Sequence, residues 1–595
     1  MADKPRPLTS RAPAGTPASD ARIAATATTA ATVPARDRVN ALLDRRDARR
    51  AVRSLDAESL YSLIVEAGLE DAYELVLLAA PEQVQAIVDF DCWRRDEFQL
   101  DRFSTWLAVV LQGDDDDFAA LYGEADIEAF VLWLRESTAV FDWEEDHEFL
   151  NEVDNPILTS PCGQYAVVLP DEDVDAQLIR LFLERMYGMD VEQALRVMFA
   201  ARYEVTSDLQ EQMFRLRTSR LADLGYVPFD EAVAVFAWLP PSEWAQRQRR
   251  RLAEADTSLE AVRVGSLPPL EQHVVMLREH VASSEAGRFA QALAAVRRVL
   301  DGVAVDEVME SVMAQLRALV NRAHVAELGN PGDLPEARRH ARAVFHRLDL
   351  ALELLAGDDL TLAARAVAYV PLVELHRAGY SVTLQLQRQA RELARRGNLT
   401  LTEAPASLLV AEDIELVDGL LALRPVQHAG RGTPFTSLAD VQRVAERLGQ
   451  IAFAELLFFA WLRMDREALA AVVYDGALNV TPAEQVTFRM LFATLLLNQT
   501  LDAERALTPL TLEELSAALG ALRAQGNPLV ELTDLGRRFI EAHRPPEHRL
   551  DRFALGFAAE CAAWLADETG DLAVDGSGRP AVTLELATSW VLVHP

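Results

Sequence analysis

Short amphipathic helices follow one another along most of this sequence, and this pattern restricts the chain to a predominantly helical fold. From about residue 38 onward, apolar residues recur every three or four positions and capping residues interrupt them at short intervals. One such helix begins at Asp56 and ends at Gly68. Because helices of about three turns are marginal alone, they must bury a face against their sequence neighbours. The pattern predicts an all-α fold that begins with a superhelical array.

Two stretches interrupt the helical pattern and predict small β-hairpins. Near residues 156–170, two short apolar runs flank the turn-forming segment Ser160–Gly163. Near the C-terminus, residues 572–574 and 582–593 flank a glycine-containing turn at 575–578. The expected fold is therefore helical with one or two small hairpins.

Changes of pattern along the chain predict five segments. The break at Pro240–Pro241 and the glycine at 397 are the clearest internal boundaries. The expected segments are a disordered tail over 1–37, the superhelical array over 38–139, a helical subdomain with the first hairpin over 140–241, a middle helical domain over 242–396, and a C-terminal helical domain over 397–595.

Capping boxes predict helix starts in the C-terminal part of the chain. Each box places a hydroxyl residue three positions before a carboxylate, which can accept a hydrogen bond from the cap amide. The three boxes are Ser437 with Asp440, Thr481 with Glu484, and Thr511 with Glu514.

The charge balance argues against nucleic acid as a partner. The chain carries 58 Lys+Arg and 92 Asp+Glu, for a formal net charge of −34. A surface this acidic repels a phosphate backbone unless a basic stripe overrides it, and only short arginine runs such as 249–251 occur. Lys4 is the single lysine, which excludes a phosphate-binding loop lysine and a Schiff-base lysine from the folded region.

Cysteine content and hydropathy predict a cytoplasmic protein without membrane insertion. Three widely spaced cysteines, without a Cys-x-x-Cys pair, suggest neither a disulfide framework nor a zinc ribbon. The most apolar internal stretch, Ile451–Leu462, is too short for a bilayer and contains Glu455.

Acidic clusters are the only metal candidates that the sequence offers. Carboxylate oxygens suit Mg²⁺ or Ca²⁺, but no cluster has the spacing of a calcium-binding loop. The alternative is structural, because carboxylates are also favoured at helix caps and in first turns. The weak metal candidates are Asp114, Asp115, Asp116, Asp117, Asp142 and Glu145.

No catalytic or cofactor-binding residue is predicted. The histidines lack the i, i+4 pairing of a zinc helix, and His273 with His280 is the nearest approach to a shared face. Cys162 lies in the predicted hairpin turn without an evident charge partner, which favours a structural loop cysteine. No cofactor is expected, and Mg²⁺ or Ca²⁺ is the alternative.

Three stretches resemble an uncharacterised bacterial family, domain of unknown function 6178. They are Leu55–Trp93, Gly225–Trp238 and Val370–Ser381, and the resemblance covers most of residues 40–560. It implies no known activity. Residues 50–135 also look like the cytosolic N-terminal superhelical domain of MgtE-type magnesium transporters, an armadillo-like stack that senses Mg²⁺ through interfacial carboxylates. This chain lacks the transporter's membrane helices, so transport is excluded and no ligand residue carries over.

The sequence thus favours a non-enzymatic scaffold or adaptor that binds a protein partner through grooves between stacked helices. The first alternative is a regulatory protein that responds to a divalent cation through its acidic segments. The second is an enzyme whose site is assembled from scattered acids and histidines, because such a site leaves no local motif.

Overall fold

The fold is predominantly helical, as predicted, in a computed structural model that describes residues 34–94, 96–169, 176–254, 287–300, 305–401, 407–574 and 579–595. These residues form 27 α-helices and two small antiparallel sheets. Most of the predicted N-terminal tail lies outside the described residues, and the first helix within them begins at Ala35. Within the described residues, no helix combines the length and apolar character needed to cross a bilayer.

The chain divides into two compact units, and each is composed of more than one stretch of sequence. The first unit contains the described residues up to Ala237 together with Gln246–Leu348 and Leu355–Arg377. The second unit contains Trp238–Ala245, Asp349–Leu354 and Ala378–Pro595.

The elements up to residue 237 are mostly helices of one to four turns. They are α1 (Ala35–Leu43), α2 (Ala48–Arg53), α3 (Ala57–Ala67), α4 (Leu69–Leu78), α5 (Pro81–Asp91), β1 (Trp93–Arg94), β2 (Glu97–Phe98), α6 (Leu100–Val110), α7 (Asp115–Glu124), α8 (Ile127–Ser137), β3 (Ala139–Asp142), α9 (His147–Leu150), β4 (Ile157–Thr159), β5 (Tyr165–Val168), α10 (Ala176–Met189), α11 (Val191–Tyr203), α12 (Thr206–Asp223), α13 (Phe229–Ala232) and a 3-10 helix (Val233–Phe236).

Longer helices follow, with short 3-10 and π segments among them. They are α14 (Pro241–Glu254), α15 (Arg288–Val299), α16 (Val305–Ala326), α17 (Leu334–Ala356), α18 (Leu360–Tyr369), α19 (Leu372–Arg396), α20 (Ala411–Leu421), α21 (Leu438–Leu456), a π-helix (Leu457–Trp461), α22 (Arg466–Tyr474), a 3-10 helix (Ala483–Gln485), α23 (Phe488–Leu501), α24 (Leu512–Gln525), α25 (Pro528–His543), α26 (Arg552–Gly570) and α27 (Leu584–Trp590).

Local signals explain how the short N-terminal helices start and stop. The Asp56 carboxylate accepts a hydrogen bond from the Ser59 amide at 2.8 Å and caps α3. Gly68 has a φ of +91°, so the chain turns directly from α3 into α4 at a residue without a Cβ. Each helix then buries one face in a continuous apolar core, to which Leu60, Leu75 and Phe103 contribute.

The predicted hairpin near residues 156–170 is confirmed and belongs to a three-stranded sheet. The strand order is β3-β5-β4, and both pairings are antiparallel. Val167 at the centre pairs with Val140 on one side and Leu158 on the other. The third strand, β3, falls in a stretch where the residue pattern predicts no strand.

The strand predicted for residues 582–593 is wrong, because α27 occupies most of that stretch. The Thr583 side chain accepts a hydrogen bond from the Leu586 amide, so the helix has its own cap. Ala587 and Trp590 pack into an apolar cluster of the second unit, and that burial favours the helix over an extended chain. The predicted turn at 575–578 lies outside the described residues.

Candidate functional site

A cleft of about 980 Å³ lies in the first unit. Three stretches of chain form its walls, and each comes from a different part of the sequence. The first runs from the end of α5 through β1 and β2 to the start of α6, the second from α12 to the start of α13, and the third from the end of α16 to the start of α17. The volume matches that of pockets that hold small molecules or short peptide segments.

Helix periodicity brings one face of α12 to the cleft. Phe214, Arg217, Thr218 and Leu221 recur at three- and four-residue intervals, and all four line the cavity. The wall therefore combines apolar side chains with one guanidinium group.

Arg217 is buried at this wall, with only 6% of the residue exposed. Its Nε donates a hydrogen bond to the main-chain oxygen of Asp89 at 2.8 Å, and its guanidinium lies 5.2 Å from the centre of the Trp93 ring. Its two terminal nitrogens donate no hydrogen bond within the described residues. Burial lowers the pKa of Arg217 to about 10, because the charged form loses hydration.

The Asp89 carboxylate is held by other donors and leaves Arg217 without a direct ionic partner. Arg220 donates to both Asp89 oxygens at 2.7 and 2.9 Å, and Gln85 donates to one of them at 3.1 Å. Arg220 also donates to both oxygens of Asp126, at 2.9 and 2.6 Å. Burial alone would lower the pKa of Arg220, but hydrogen bonds with the two carboxylates raise it.

Asp91 joins the helices at the opposite wall. Its carboxylate accepts hydrogen bonds from the Tyr61 hydroxyl at 2.7 Å, from Arg102 at 2.9 Å and from the Trp106 indole at 2.8 Å. These bonds connect α3, α5 and α6 around one buried carboxylate, so Asp91 stabilises the wall.

The loop between α16 and α17 forms the third wall and fits tightly against its neighbours. The Asn330 amide donates to the main-chain oxygen of Trp93 at 2.9 Å, and the Tyr61 hydroxyl oxygen, whose hydrogen is donated to Asp91, lies 3.2 Å from that of Gly332. A Cβ atom at Gly332 would lie 2.5 Å from the main-chain oxygen of Phe90. The position therefore requires glycine for close approach of two backbones.

A histidine pair lies beneath this loop. Nδ1 of His324 lies 2.9 Å from Nδ1 of His340, and Nε2 of His324 lies 2.7 Å from the main-chain oxygen of Asn330. Burial lowers the pKa of His324, and it lowers that of His340 to about 4, with a further contribution from His324. Both imidazoles are therefore neutral at pH 7. The Nδ1 proton of one ring makes a hydrogen bond to the Nδ1 atom of the other ring.

The second unit contains a half-buried arginine, Arg447, with more partners. It donates to both oxygens of Asp413 at 2.6 and 2.8 Å, to Gln450 at 3.0 Å, and to Glu560. The adjoining cavity measures only about 30 Å³, which is room for about one water molecule. Half-buried Arg489 also lines this cavity, with its guanidinium 4.1 Å from the centre of the Trp564 ring.

The acidic run at 114–117 has a structural role in α7. The Asp114 carboxylate accepts from the Asp117 amide at 2.9 Å, and the Asp117 carboxylate accepts from the Asp114 amide at 3.2 Å. Asp115 and Asp116 lie in the first turn, where negative charge is favoured by the helix dipole.

Asp142 and Glu145 lie at the turn that follows β3. The Asp142 carboxylate accepts from the amides of Glu144 and Glu145 at 3.0 and 3.1 Å, and Arg202 pairs with Glu145 at 3.0 Å. The amide of Glu145 is the main cause of a lowered pKa at Asp142. Within the described residues, no group of three or more His, Cys, Asp or Glu side chains has an arrangement that could hold a metal ion. His273 and His280 lie outside those residues.

Cys162 lies exposed in the hairpin turn, as its sequence context predicts. Partial burial would raise the pKa of its thiol, but hydrogen bonds with Ser160 and Tyr187 outweigh that effect and lower the pKa.

Sequence reasoning missed the residues that define the cleft. Trp93 has the pattern of a core aromatic, and Arg217 is one arginine among many on amphipathic helices. The one available signal was the segment Gly329–Asp333, a loop rich in glycine and proline between two long helices.

The fold and the cleft define a helical protein with an open cavity in its first unit. The chain belongs to the family of unknown function known as domain of unknown function 6178, whose sequence profile matches residues 18–578. No curated protein and no solved structure matches the chain. The likeness to the MgtE N-terminal domain stays a prediction.

Proposed function

We propose that this protein is a non-enzymatic scaffold or adaptor that binds a segment of a partner protein in the cleft lined by Arg217. The observation that carries the proposal is the cleft itself, an open cavity of about 980 Å³ with apolar and charged walls. Such a volume holds several residues of a peptide chain.

The composition of the walls supports a peptide-like ligand. Phe214, Leu221 and Tyr226 supply apolar surface, and Phe229 at the edge is 45% exposed. Charged side chains of both signs lie among them. Aromatic and arginine side chains are the residues that most often dominate the energy of protein interfaces.

The rigidity of the walls also supports binding. Asp91 accepts a hydrogen bond from Tyr61 at 2.7 Å, and Asn330 in the loop between α16 and α17 donates one to Trp93 at 2.9 Å, so the cavity exists before a ligand arrives. A preformed site loses less conformational entropy on binding than a site that must first be ordered.

Thr218→Trp tests the proposal by filling the cleft. The Thr218 hydroxyl donates only to the Phe214 main-chain oxygen of its own helix, so the substitution removes no contact between elements. The matched control is Thr533→Trp in α25, where the hydroxyl likewise donates to a carbonyl four residues earlier.

Both variants and the unmodified protein are used as bait in a native lysate of the source organism, and captured proteins are quantified. We expect at least one protein to be captured by the unmodified chain and by Thr533→Trp, and lost with Thr218→Trp. Equal capture by all three baits, or capture of nothing specific, would contradict the proposal.

The two other functions stay predictions. A cation-responsive regulator would unfold at a higher temperature in millimolar Mg²⁺ or Ca²⁺ after EDTA treatment, because a ligand that binds only the native state stabilises it. An enzyme would have a site assembled from scattered acids and histidines, and turnover of a substrate by the purified chain would be the evidence for it.

A further inference from the structure

We infer that the cleft recognises an apolar group that ends in a carboxylate, and that this carboxylate binds the terminal nitrogens of Arg217. The inference rests on the proposed function, because it names the group that a partner would present to the cleft. The C-terminal residue of a partner chain has this chemistry, and so does a small apolar carboxylic acid.

Arg217 has the properties of a recognition group because it is buried, held in place and incompletely paired. Its Nε is fixed by the Asp89 main-chain oxygen, and its guanidinium lies 5.2 Å from the centre of the Trp93 ring. Its terminal nitrogens donate no hydrogen bond within the described residues, although the residue is only 6% exposed. Because Arg217 lines the cleft, an oxygen of a ligand there can accept hydrogen bonds from these terminal nitrogens.

The geometry of the guanidinium selects a planar anion. Two parallel N–H groups match the two oxygens of a carboxylate in a bidentate pair, which is shorter and stronger than a neutral hydrogen bond. The Asp89 carboxylate makes no hydrogen bond with Arg217, and both of its oxygens accept from Arg220 instead.

The charges of the walls favour a monoanion over a phosphate. Three arginines and four carboxylates line the cleft, so the cavity has no excess positive charge to balance a dianion. Asp96 and Asp333 are exposed at this cleft. Their negative charge repels a phosphate more strongly than it repels a carboxylate.

The apolar walls select the rest of the ligand. Phe214 and Leu221 lie on the same face of α12 as Arg217, and Val227 and Phe229 follow that helix along the same wall. A ligand whose carboxylate binds Arg217 therefore places its remaining atoms against apolar side chains, which gives affinity through burial.

Binding of matched small probes tests the inference on the full chain. The probes are the N-acetyl derivatives of leucine, valine, phenylalanine and tryptophan, each as the free acid and as the C-terminal amide, titrated by calorimetry. We expect at least one acid to bind with a Kd of about 1 mM, as is reasonable for so small a ligand. We expect the corresponding amide to bind at least tenfold more weakly. Equal binding of acid and amide, or no binding of any acid up to 20 mM, would overturn the inference.

Variants of Arg217 locate the binding group. We expect Arg217→Met to abolish the preference for the acid, and Arg217→Lys to weaken acid binding several-fold because a point charge cannot form the bidentate pair. The matched control is Arg489→Met, since Arg489 also stacks on an indole but adjoins a cavity of only about 30 Å³. Thr218→Trp blocks the same binding without a change to Arg217, so the test survives if Arg217→Met does not fold. A preference for the acid that persists in both Arg217 variants would place the carboxylate elsewhere.

A further probe separates the two sources of the carboxylate. Tighter binding of N-acetylphenylalanine than of 3-phenylpropionate assigns a chain terminus, and the reverse order assigns a small carboxylic acid. Failure of carboxylate recognition would appear as equal binding of the acid and the amide. Failure of the proposed function would appear instead as protein capture that Thr218→Trp leaves unchanged.

Discussion

Each of the two units contains a half-buried arginine that holds two carboxylates, yet the surroundings of the two arginines differ. Arg220 holds Asp89 and Asp126, while buried Arg217 on the same helix lines a cleft of about 980 Å³. Arg447 holds Asp413 and Glu560 beside a cavity of about 30 Å³. A buried ion network is therefore insufficient to mark a binding site. An arginine that lines an open cleft and whose terminal nitrogens make no hydrogen bond is better evidence for a binding site.

The largest effect is expected for Arg220→Met. Removal of Arg220 leaves Asp89, which is 2% exposed, and Asp126 without their ionic partner. Loss of one partner from a buried network costs about 3–5 kcal/mol. Urea unfolding, followed by hydrogen exchange in peptides of the first unit, measures this cost. Arg215→Met is the control, because Arg215 pairs only with exposed Glu211 on its own helix and we expect a change below about 0.5 kcal/mol.

Arg447→Met is expected to cost somewhat less, about 3 kcal/mol, by the same mechanism. Asp413 is buried, but the Glu560 side chain is 38% exposed, so water partly replaces the lost arginine. Hydrogen exchange in peptides of the second unit provides the measurement. If Arg447→Met lowers the free energy of unfolding more than Arg220→Met does, then the exposure of Glu560 does not decide which variant is less stable.

Gly332→Ala is expected to lower the free energy of unfolding by a smaller amount, about 1–3 kcal/mol, because overpacking forces the backbone to shift. The new Cβ would lie 2.5 Å from the Phe90 main-chain oxygen, at the wall of the cleft. Gly476→Ala is the control, since no atom lies within 4 Å of the Cβ position there. Thermal unfolding of both variants measures the difference, and equal midpoints would show that the loop at Gly332 yields freely.

His340 predicts a decrease in stability on acidification. Its folded-state pKa is lowered from 6.5 to about 4, so the unfolded chain binds the proton first and stability falls as the pH drops through this range. The groups facing it are His324, Glu327, Glu336 and Arg339. Because His340 is only half-buried, the effect should be about 1 kcal/mol.

The test compares unfolding midpoints at pH 7 and pH 5. We expect His340→Gln to show a smaller decrease than the unmodified protein, while exposed His594→Gln behaves like the unmodified protein. Parallel pH dependence in all three would exclude His340 as the cause.

The smallest effect on stability is expected for Arg217→Met, within about 1 kcal/mol. The guanidinium loses its hydration on burial and gains one hydrogen bond, to the Asp89 main-chain oxygen. The methionine side chain keeps apolar contact with Trp93 while removing the buried charge. Urea unfolding of Arg217→Met and of the unmodified protein measures this difference in stability. A loss above about 2 kcal/mol would make Arg217 a structural residue like Arg447 and would remove the contrast between the two units.

Helix starts show how far local signals reach. The capping boxes at Ser437 and Thr511 are formed as predicted. The box at Thr481 is wrong, because the Thr481 hydroxyl donates instead to the main-chain oxygen of Val591 at 2.8 Å. A short 3-10 helix follows, and α23 begins with Thr487 as its cap. A contact across 110 residues thus overrides the local signal.

The residue pattern alone predicts the helical class, the hairpin near residue 160 and Asp114 as a helix cap. These features depend on periodicity and on contacts within one turn. Which arginine keeps terminal nitrogens without a hydrogen bond at an open cleft depends instead on the folded chain. Arg217 and the Asp89 oxygen that it contacts are 128 residues apart, and no local pattern distinguishes Arg217 from its neighbours on α12. Segments that meet only after folding decide how deeply Arg217 is buried, which hydrogen-bond partners it finds and how much open space lies beside it. These three properties define the cleft.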